Sequence, residues 1–293
     1  MSPLVSIVLP VYNGERFLRA SIDSVIAQTF PNWELLILDD CSTDSSPEIA
    51  KEYEQRDSRI IYYRNEKNLR LPGNLNKGFS LAKGDYLTWT SDDNMYRPTA
   101  IEKMVDALQE NPDAHLAFAS CRIIDENGNP IEYIAVNERS KKRIVGIDSV
   151  GACFLYTRKA YEVVGDYDAE YILVEDFDYW QRIFHHFDTV AIEEILYDYR
   201  YHSGALTSTM KQETHAKTLE KVLLKNRPGF GKLDIEEAYY YYSGLYASRR
   251  KQMNISNPYT RKYQFYSFLY LIFYRVPNKL RREINKLGQG NKT

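Results

Sequence analysis

Short, almost unbroken apolar runs alternate along this chain with stretches whose apolar residues recur every three or four positions. The first run is Val5-Ser6-Ile7-Val8-Leu9-Pro10-Val11, and its continuous apolar character predicts a strand buried on both faces. Tyr12-Asn13-Gly14 breaks it. Phe17, Leu18, Ile22, Val25 and Ile26 then mark one face of a helix, which Pro31 ends. Residues 33–38 predict a second strand, which runs into Asp39-Asp40-Cys41-Ser42-Thr43-Asp44, and Pro47 suits the first turn of the next helix. Residues 60–63 predict a third strand. Residues 65–73 read as a loop, Leu75, Phe79 and Ala82 as a short helix, and residues 86–90 as a fourth strand after the Gly84-Asp85 turn. This alternation predicts an α/β fold with a mostly parallel central sheet flanked by helices.

The pattern is less regular afterwards. Ile101, Met104, Val105 and Leu108 share one side of a helix over 98–109, and residues 116–119 predict a strand. Asn127-Gly128-Asn129-Pro130 is a tight turn at a hairpin tip. Ser140-Lys141-Lys142-Arg143 reads as a solvated basic loop. A strand over 151–156 and a helix over 158–164, closed by Gly165, come next. A further helix opens at Glu175-Asp176 with Phe177, Trp180 and Ile183 on its apolar side, Trp180 being a core residue by this reading. A strand over 190–199 leads into Arg200-Tyr201-His202-Ser203-Gly204. Beyond about residue 210 strand signals fade and helical stretches dominate. We therefore expect a catalytic-sized α/β domain over 1–210 and a helical C-terminal region over 211–293.

Composition narrows the classes. With 44% apolar and 27% charged residues the chain is globular, and a net charge of -2 gives no electrostatic case for a nucleic-acid partner. Cys41, Cys121 and Cys153 are odd in number and lack metal spacing, which argues against a disulfide scaffold and for a reducing, cytoplasmic setting. The N-terminal residues lack the basic-then-apolar pattern of a signal peptide, and no run is long enough to span a bilayer. Tyrosine is abundant, at 25 residues, and concentrated late in the chain.

The chemistry centres on Thr88-Trp89-Thr90-Ser91-Asp92-Asp93-Asn94. A strand that stops in two carboxylates on its way to a helix puts them at the carboxyl edge of the sheet, where open α/β sheets bind ligands. Adjacent carboxylates repel, and a divalent cation that takes its other ligands from water and phosphates relieves them. The plain alternative is a solvated acidic turn. Parallel strands finish at one edge, so Tyr12, Asp39-Asp40 and Asp92-Asp93 are expected together: a stacking face, acceptors for a base N–H, and a metal–diphosphate site. There is no Walker-A loop and no Gly-x-Gly-x-x-Gly after the first strand, so a metal rather than a backbone nest would neutralise the phosphates.

Residues 5–13, Asp39-Asp40-Cys41-Ser42-Thr43-Asp44, Ser91-Asp92-Asp93-Asn94 and Glu175-Asp176, in that order and spacing, closely resemble the family 2 glycosyltransferases of GT-A fold, over roughly residues 4–205. The resemblance implies an inverting enzyme that uses a nucleotide-sugar donor, expected to be UDP-linked, and builds polysaccharide on a glycan or lipid-linked acceptor. It implies a nucleotide-sugar half over about 1–97 and an acceptor half over about 98–210. Pro10 and Tyr12 would contact the base, and Asp40 would accept a hydrogen bond from it beside Asp39. Arg70 would meet phosphate, although a solvated arginine explains it equally well. Asp93 would hold Mn2+ or Mg2+, with Asp92 touching ribose or ordering the loop. His202, in Tyr199-Arg200-Tyr201-His202, would approach the metal or diphosphate. Asp176 would be the base that takes the acceptor proton; without the family match, an acidic helix start is the favoured explanation.

A silent nucleotide-sugar-binding or scaffold protein on the same fold is the rival, and it has no need of Asp176. A sugar-phosphate nucleotidyltransferase would want a glycine-rich, basic loop after the first strand, which Pro10-Val11-Tyr12-Asn13-Gly14 does not supply. In the tail, aromatics from Tyr263 to Tyr274 precede Arg275, Lys279, Arg281, Arg282 and Lys286. The stretch 263–286 suits peripheral contact with a membrane surface, or packing against protein.

Overall fold

The computed structural model describes residues 2–206, 211–252 and 257–271. It divides into two compact units, Met1–Lys141 with Ser149–Met210, and Lys142–Asp148 with Lys211–Thr293.

In the first unit, β1 (Val5–Val11), β2 (Trp33–Asp39), β3 (Ile60–Arg64) and β4 (Tyr86–Trp89) pair in parallel in the order β3-β2-β1-β4. Helices α1 (Leu18–Ile26), α2 (Ser46–Arg56) and α3 (Arg70–Leu81) make the crossovers. Alternate residues sort the two faces. Ile7, Leu9, Leu35 and Ile37 join Leu18, Ile22, Val25 and Ile49 in one apolar core. On the other face Gly78 of α3 lies so close to Val8 and Leu38 that a Cβ there would stand 2.5 Å from a Val8 methyl. The helix α3 starts at Arg70, within the stretch that read as a loop.

The remaining strands are mixed. A two-residue strand, β5 (Met95–Tyr96), precedes α4 (Ala100–Glu110), and its brevity hid it from the pattern. β6 (Ala114–Ile124) forms a hairpin with β7 (Pro130–Ile134) through the Gly128 turn (φ +89). Ser140-Lys141-Lys142-Arg143 is helical within α5 (Glu138–Arg143), where Ser140 is buried and accepts the Asn137 N–H. β8 (Phe154–Thr157) is antiparallel to both β4 and β6, so β4 and β6 run the same way. After α6 (Arg158–Val164) and α7 (Glu175–Phe184), β9 (Asp188–Arg200) returns parallel to β6. The ends of β1, β2, β4, β6 and β9 therefore share one edge. Trp180 is fully buried, its ring 4.3 Å from that of Phe154.

The second unit contains α8 (Gln212–Asn226), α9 (Ile235–Lys251) and α10 (Thr260–Tyr270). Asp234 and Glu237 form a capping box at the start of α9. The late tyrosines zip α9 to α10 through stacked pairs, Tyr239 with Tyr270 at 4.3 Å and Tyr246 with Tyr263 at 4.5 Å. No helix among the described residues is long and apolar enough to cross a membrane. Arg275, Lys279, Arg281, Arg282 and Lys286 lie outside the described residues.

Candidate active site

The loop that leaves β1 is the hub of the carboxyl edge. Asn13 sits in the left-handed region (φ +56), donates its N–H to Ser42 Oγ at 3.0 Å, and accepts the Thr43 N–H at 2.8 Å. That ties the loop to the one leaving β2. A Cβ on Gly14 would stand 1.8 Å from Asp92 Oδ2, so only glycine leaves room for that carboxylate. The Phe17 ring lies 5.2 Å from the His202 ring and 4.5 Å from the Arg200 guanidinium. Tyr12 leaves the same loop with its residue surface 57% exposed, an open aromatic face. Pro10 lies in β1 opposite Leu38, half-buried.

The two acidic pairs differ. Asp39 is buried and fully engaged: it accepts the Ser42 N–H at 2.8 Å, the Tyr62 hydroxyl at 2.8 Å and an Arg64 N–H at 3.0 Å. Asp40 uses one oxygen, Oδ1, for the Leu69 N–H at 2.8 Å and the Asn65 amide at 2.9 Å. Among the described residues no hydrogen bond reaches its Oδ2. Arg70, next to Leu69, is exposed and left-handed (φ +60); the structure places it beside Asp40 but does not draw its side chain into the network.

At the end of β4, burial, with the Asp93 charge second, pushes the Asp92 carboxyl up to about 7. Asp93 Oδ2 lies 3.0 Å from His202 Nε2, while its Oδ1 is buried with no hydrogen-bond partner among the described residues. A buried, unpaired carboxylate oxygen is costly, and a cation beside it removes the cost. The carboxylate oxygen is a ligand that Mn2+ or Mg2+ accepts, and the imidazole is one that the softer Mn2+ tolerates better than Mg2+, so these residues fit such an ion. Among the described residues no three His, Cys, Asp or Glu side chains gather around one point, so phosphates and water would complete its shell. Arg200 braces the site. It is 5% exposed, its Nε donates to the Asp93 carbonyl at 3.0 Å, and its Nη1 donates to the Asp125 and Glu126 carbonyls at 3.1 and 3.0 Å. The Asn94 amide oxygen accepts the Arg200 N–H at 2.7 Å.

Asp176 reaches the same edge by another route. The helix α7 ends just before β9 begins, so its first turn lies toward the edge where the strands finish. Trp89, the last residue of β4, donates its indole N–H to the Tyr167 hydroxyl at 3.2 Å. Burial raises the Tyr167 phenol well above its ordinary pKa, and Asp176 is close enough to add to the rise. The Tyr167 ring stacks on Tyr179 of α7 at 4.0 Å. Asp176 is half-buried between buried neighbours, its Oδ1 accepting the Phe177 N–H at 2.7 Å.

A family model described as glycosyl transferase family 2 matches residues 6–165, more than half of the chain. The chain belongs to glycosyltransferase family 2. An uncharacterised glycosyltransferase of Methanocaldococcus jannaschii is 31% identical to it over 238 residues, 78% of this chain and 82% of the relative. TarS of S. aureus, solved with UDP-GlcNAc, aligns with a TM-score of 0.68 at 14% identity, covering 89% of this chain and 79% of TarS. The mannosyltransferase PcManGT of Pyrobaculum calidifontis, solved with GDP-Man and Mn2+, aligns with a TM-score of 0.63 at 16% identity over 92% of this chain and 81% of its own. These likenesses show that the glycosyltransferase has the GT-A fold.

Several residues of this edge escaped the sequence reading. Gly14 appears there only as a strand breaker, and Phe17 only as a core residue. Arg200 is noticed through the histidine two places on, although an arginine just after a long apolar strand is itself a signal. Of the non-glycine left-handed residues of the described chain, Asn13, Cys41 and Leu173 sit in loops and Arg70 opens α3, and backbone strain of that kind gathers where a site must be shaped.

Proposed function

We propose that the enzyme transfers a sugar from a UDP-sugar to a glycan or lipid-linked acceptor with inversion, assisted by Mn2+ or Mg2+, in polysaccharide biosynthesis at the cytoplasmic face of a membrane. The observation that carries this reading is Asp93: one oxygen faces His202 and the other is buried without a partner among the described residues. Asp93 and His202 would hold the ion, which when bound offsets the charge of the diphosphate as it departs. Tyr12 stacks on the base beside Pro10, and Asp40 Oδ2 accepts its N–H. Asp39 holds the loop that carries Asp40, Arg70 answers the phosphates, and Asp92 orders the loop before Asp93. Asp176 takes the proton of the acceptor hydroxyl as its oxygen attacks the anomeric carbon from the face opposite the diphosphate. Residues 1–97 serve the donor and 98–210 the acceptor.

The lipid-linked acceptor is supported by α10. Phe265, Phe268 and Leu271 recur every three residues and are 57%, 60% and 42% exposed, beside exposed Arg261 and Lys262. Aromatic and basic groups on one helix suit an anionic lipid surface. Vesicles containing phosphatidylglycerol should sediment the protein at low salt, and vesicles of phosphatidylcholine alone should not. Equal recovery with both would remove this part of the reading.

The central test is a panel of UDP- and GDP-sugars with Mn2+ or Mg2+, read by thermal shift and nucleotide release. A UDP-sugar with metal should raise Tm and release UDP. Asp176→Asn should keep the shift and lose release by about 100-fold or more. Unchanged release in Asp176→Asn would reject the base assignment, and a shift with no release in the parent would favour a silent binder.

A further inference from the structure

The turn in front of α7 carries a leucine in a conformation that leucine avoids. Leu173 has φ +72, in the left-handed region where a Cβ crowds the following carbonyl. Something must hold it there. No Ser, Thr, Asp or Asn caps the helix: the residue before its first turn is Val174, which makes no side-chain capping bond. The role passes to Glu175, the first residue of the helix. Its carboxylate folds back and accepts the Leu173 N–H in a short hydrogen bond. Glu175 is 3% exposed, too enclosed to meet an acceptor itself. Behind it the helix is fixed by the fully buried Phe177, Tyr179, Trp180 and Ile183. The turn before it therefore sets where the first turn of the helix, with Asp176, begins.

The geometry points to Glu175 as a positioning residue for Asp176: by holding Leu173 in the left-handed turn, it fixes the direction in which the Asp176 carboxylate leaves the helix. This rests on the reading of Asp176 as the base. Burial pushes the Glu175 carboxyl up to about 7, so the group is retained at a cost to folding, as expected of a residue kept for placement rather than stability. A displacement of about 1 Å at a reacting group lowers turnover by roughly 100-fold.

Glu175→Gln, Glu175→Ala and the double variant Glu175→Ala with Leu173→Gly test it, with Asp176→Asn in parallel. Turnover is read as UDP release into water from whichever of UDP-glucose, UDP-galactose and UDP-N-acetylglucosamine reacts fastest with Mn2+. Geometry is read independently as hydrogen exchange at the amide of residue 173. A glutamine keeps an acceptor for that amide, so Glu175→Gln should stay within about threefold of the parent in kcat and keep the amide protected. Glu175→Ala should lose about 30- to 100-fold in kcat at unchanged donor KM and expose the amide. Glycine takes φ +72 without strain, so the double variant should regain about tenfold. Protection in Glu175→Ala equal to the parent, or a Glu175→Gln as slow as Glu175→Ala, overturns the proposal. If no UDP-sugar reacts, the exchange result alone decides whether Glu175 holds the turn. Full activity in Asp176→Asn sinks the base assignment instead, and the two failures are told apart.

Discussion

The ends of β2 and β4 carry the same dipeptide, Asp-Asp, at the same edge of the same sheet, and the protein treats the two pairs in opposite ways. At β2 the first carboxylate is answered from within. Its neighbour β3 brings Tyr62 and Arg64 to Asp39 at 2.8 and 3.0 Å, and Ser42 adds its N–H. At β4 the neighbours are β1, whose loop contributes Gly14, and the apolar β8. Arg200 is close, but its guanidinium is committed to main-chain carbonyls and to Met95 sulfur. Asp93 is left with a buried oxygen that nothing among the described residues satisfies. Whether a carboxylate of such a pair is satisfied from within depends on which strand lies beside it, not on its own sequence. Asp39 shapes a loop, while Asp93 keeps a buried oxygen with no partner among the described residues.

The comparison can be broken in order of effect. Asp93→Asn should lower sugar transfer by about 100- to 1000-fold while Tm holds or rises, because a partly buried like-charge pair is relieved. A fall in Tm without loss of transfer would make Asp93 a second Asp39. Gly14→Ala comes next. Its Cβ cannot share space with Asp92 Oδ2, 1.8 Å away, so the acidic loop must shift and transfer should fall by about 10- to 100-fold, read as kcat/KM. Asp39→Asn should act the other way round, costing about 2 kcal/mol of stability in urea titration, because a charge-assisted set of bonds is broken. Turnover per folded molecule should change by less than about threefold.

The smallest effect is a pH dependence. The folded-state pKa of Asp92 is raised to about 7, above an unfolded value of about 3.9. The folded form therefore binds the proton more tightly, and this group's contribution to stability falls as pH rises from about 4 to about 7. Denaturation of metal-free protein across that window should show the decline, and Asp92→Asn should flatten it. An identical slope in the variant would place the titration elsewhere.

Much of this arrangement was legible in the sequence, for reasons particular residues make plain. Val5 to Val11 and Trp33 to Leu38 are continuous apolar runs because both faces of those strands are covered, and a parallel sheet brings their ends together by geometry alone. The spacing of Glu175-Asp176 before Phe177, Trp180 and Ile183 marks a helix with an acidic start. What was hidden depends on contacts between distant segments. Nothing near Asp39 announces Arg64, 25 residues later, and nothing near Asp92 announces that Gly14 must lack a side chain. The two-residue β5 is too short to carry a period, and the α5 helix, with buried Ser140, hides behind the charges of Lys141, Lys142 and Arg143.

Binding of Mn2+ to the purified protein with UDP, followed by electron paramagnetic resonance, tests the difference between the two acidic pairs most directly. The account predicts one bound ion in the parent and in Asp39→Asn, and at least tenfold weaker binding in Asp93→Asn and in His202→Ala. Equal affinity for Mn2+ in the parent and in Asp93→Asn would contradict it.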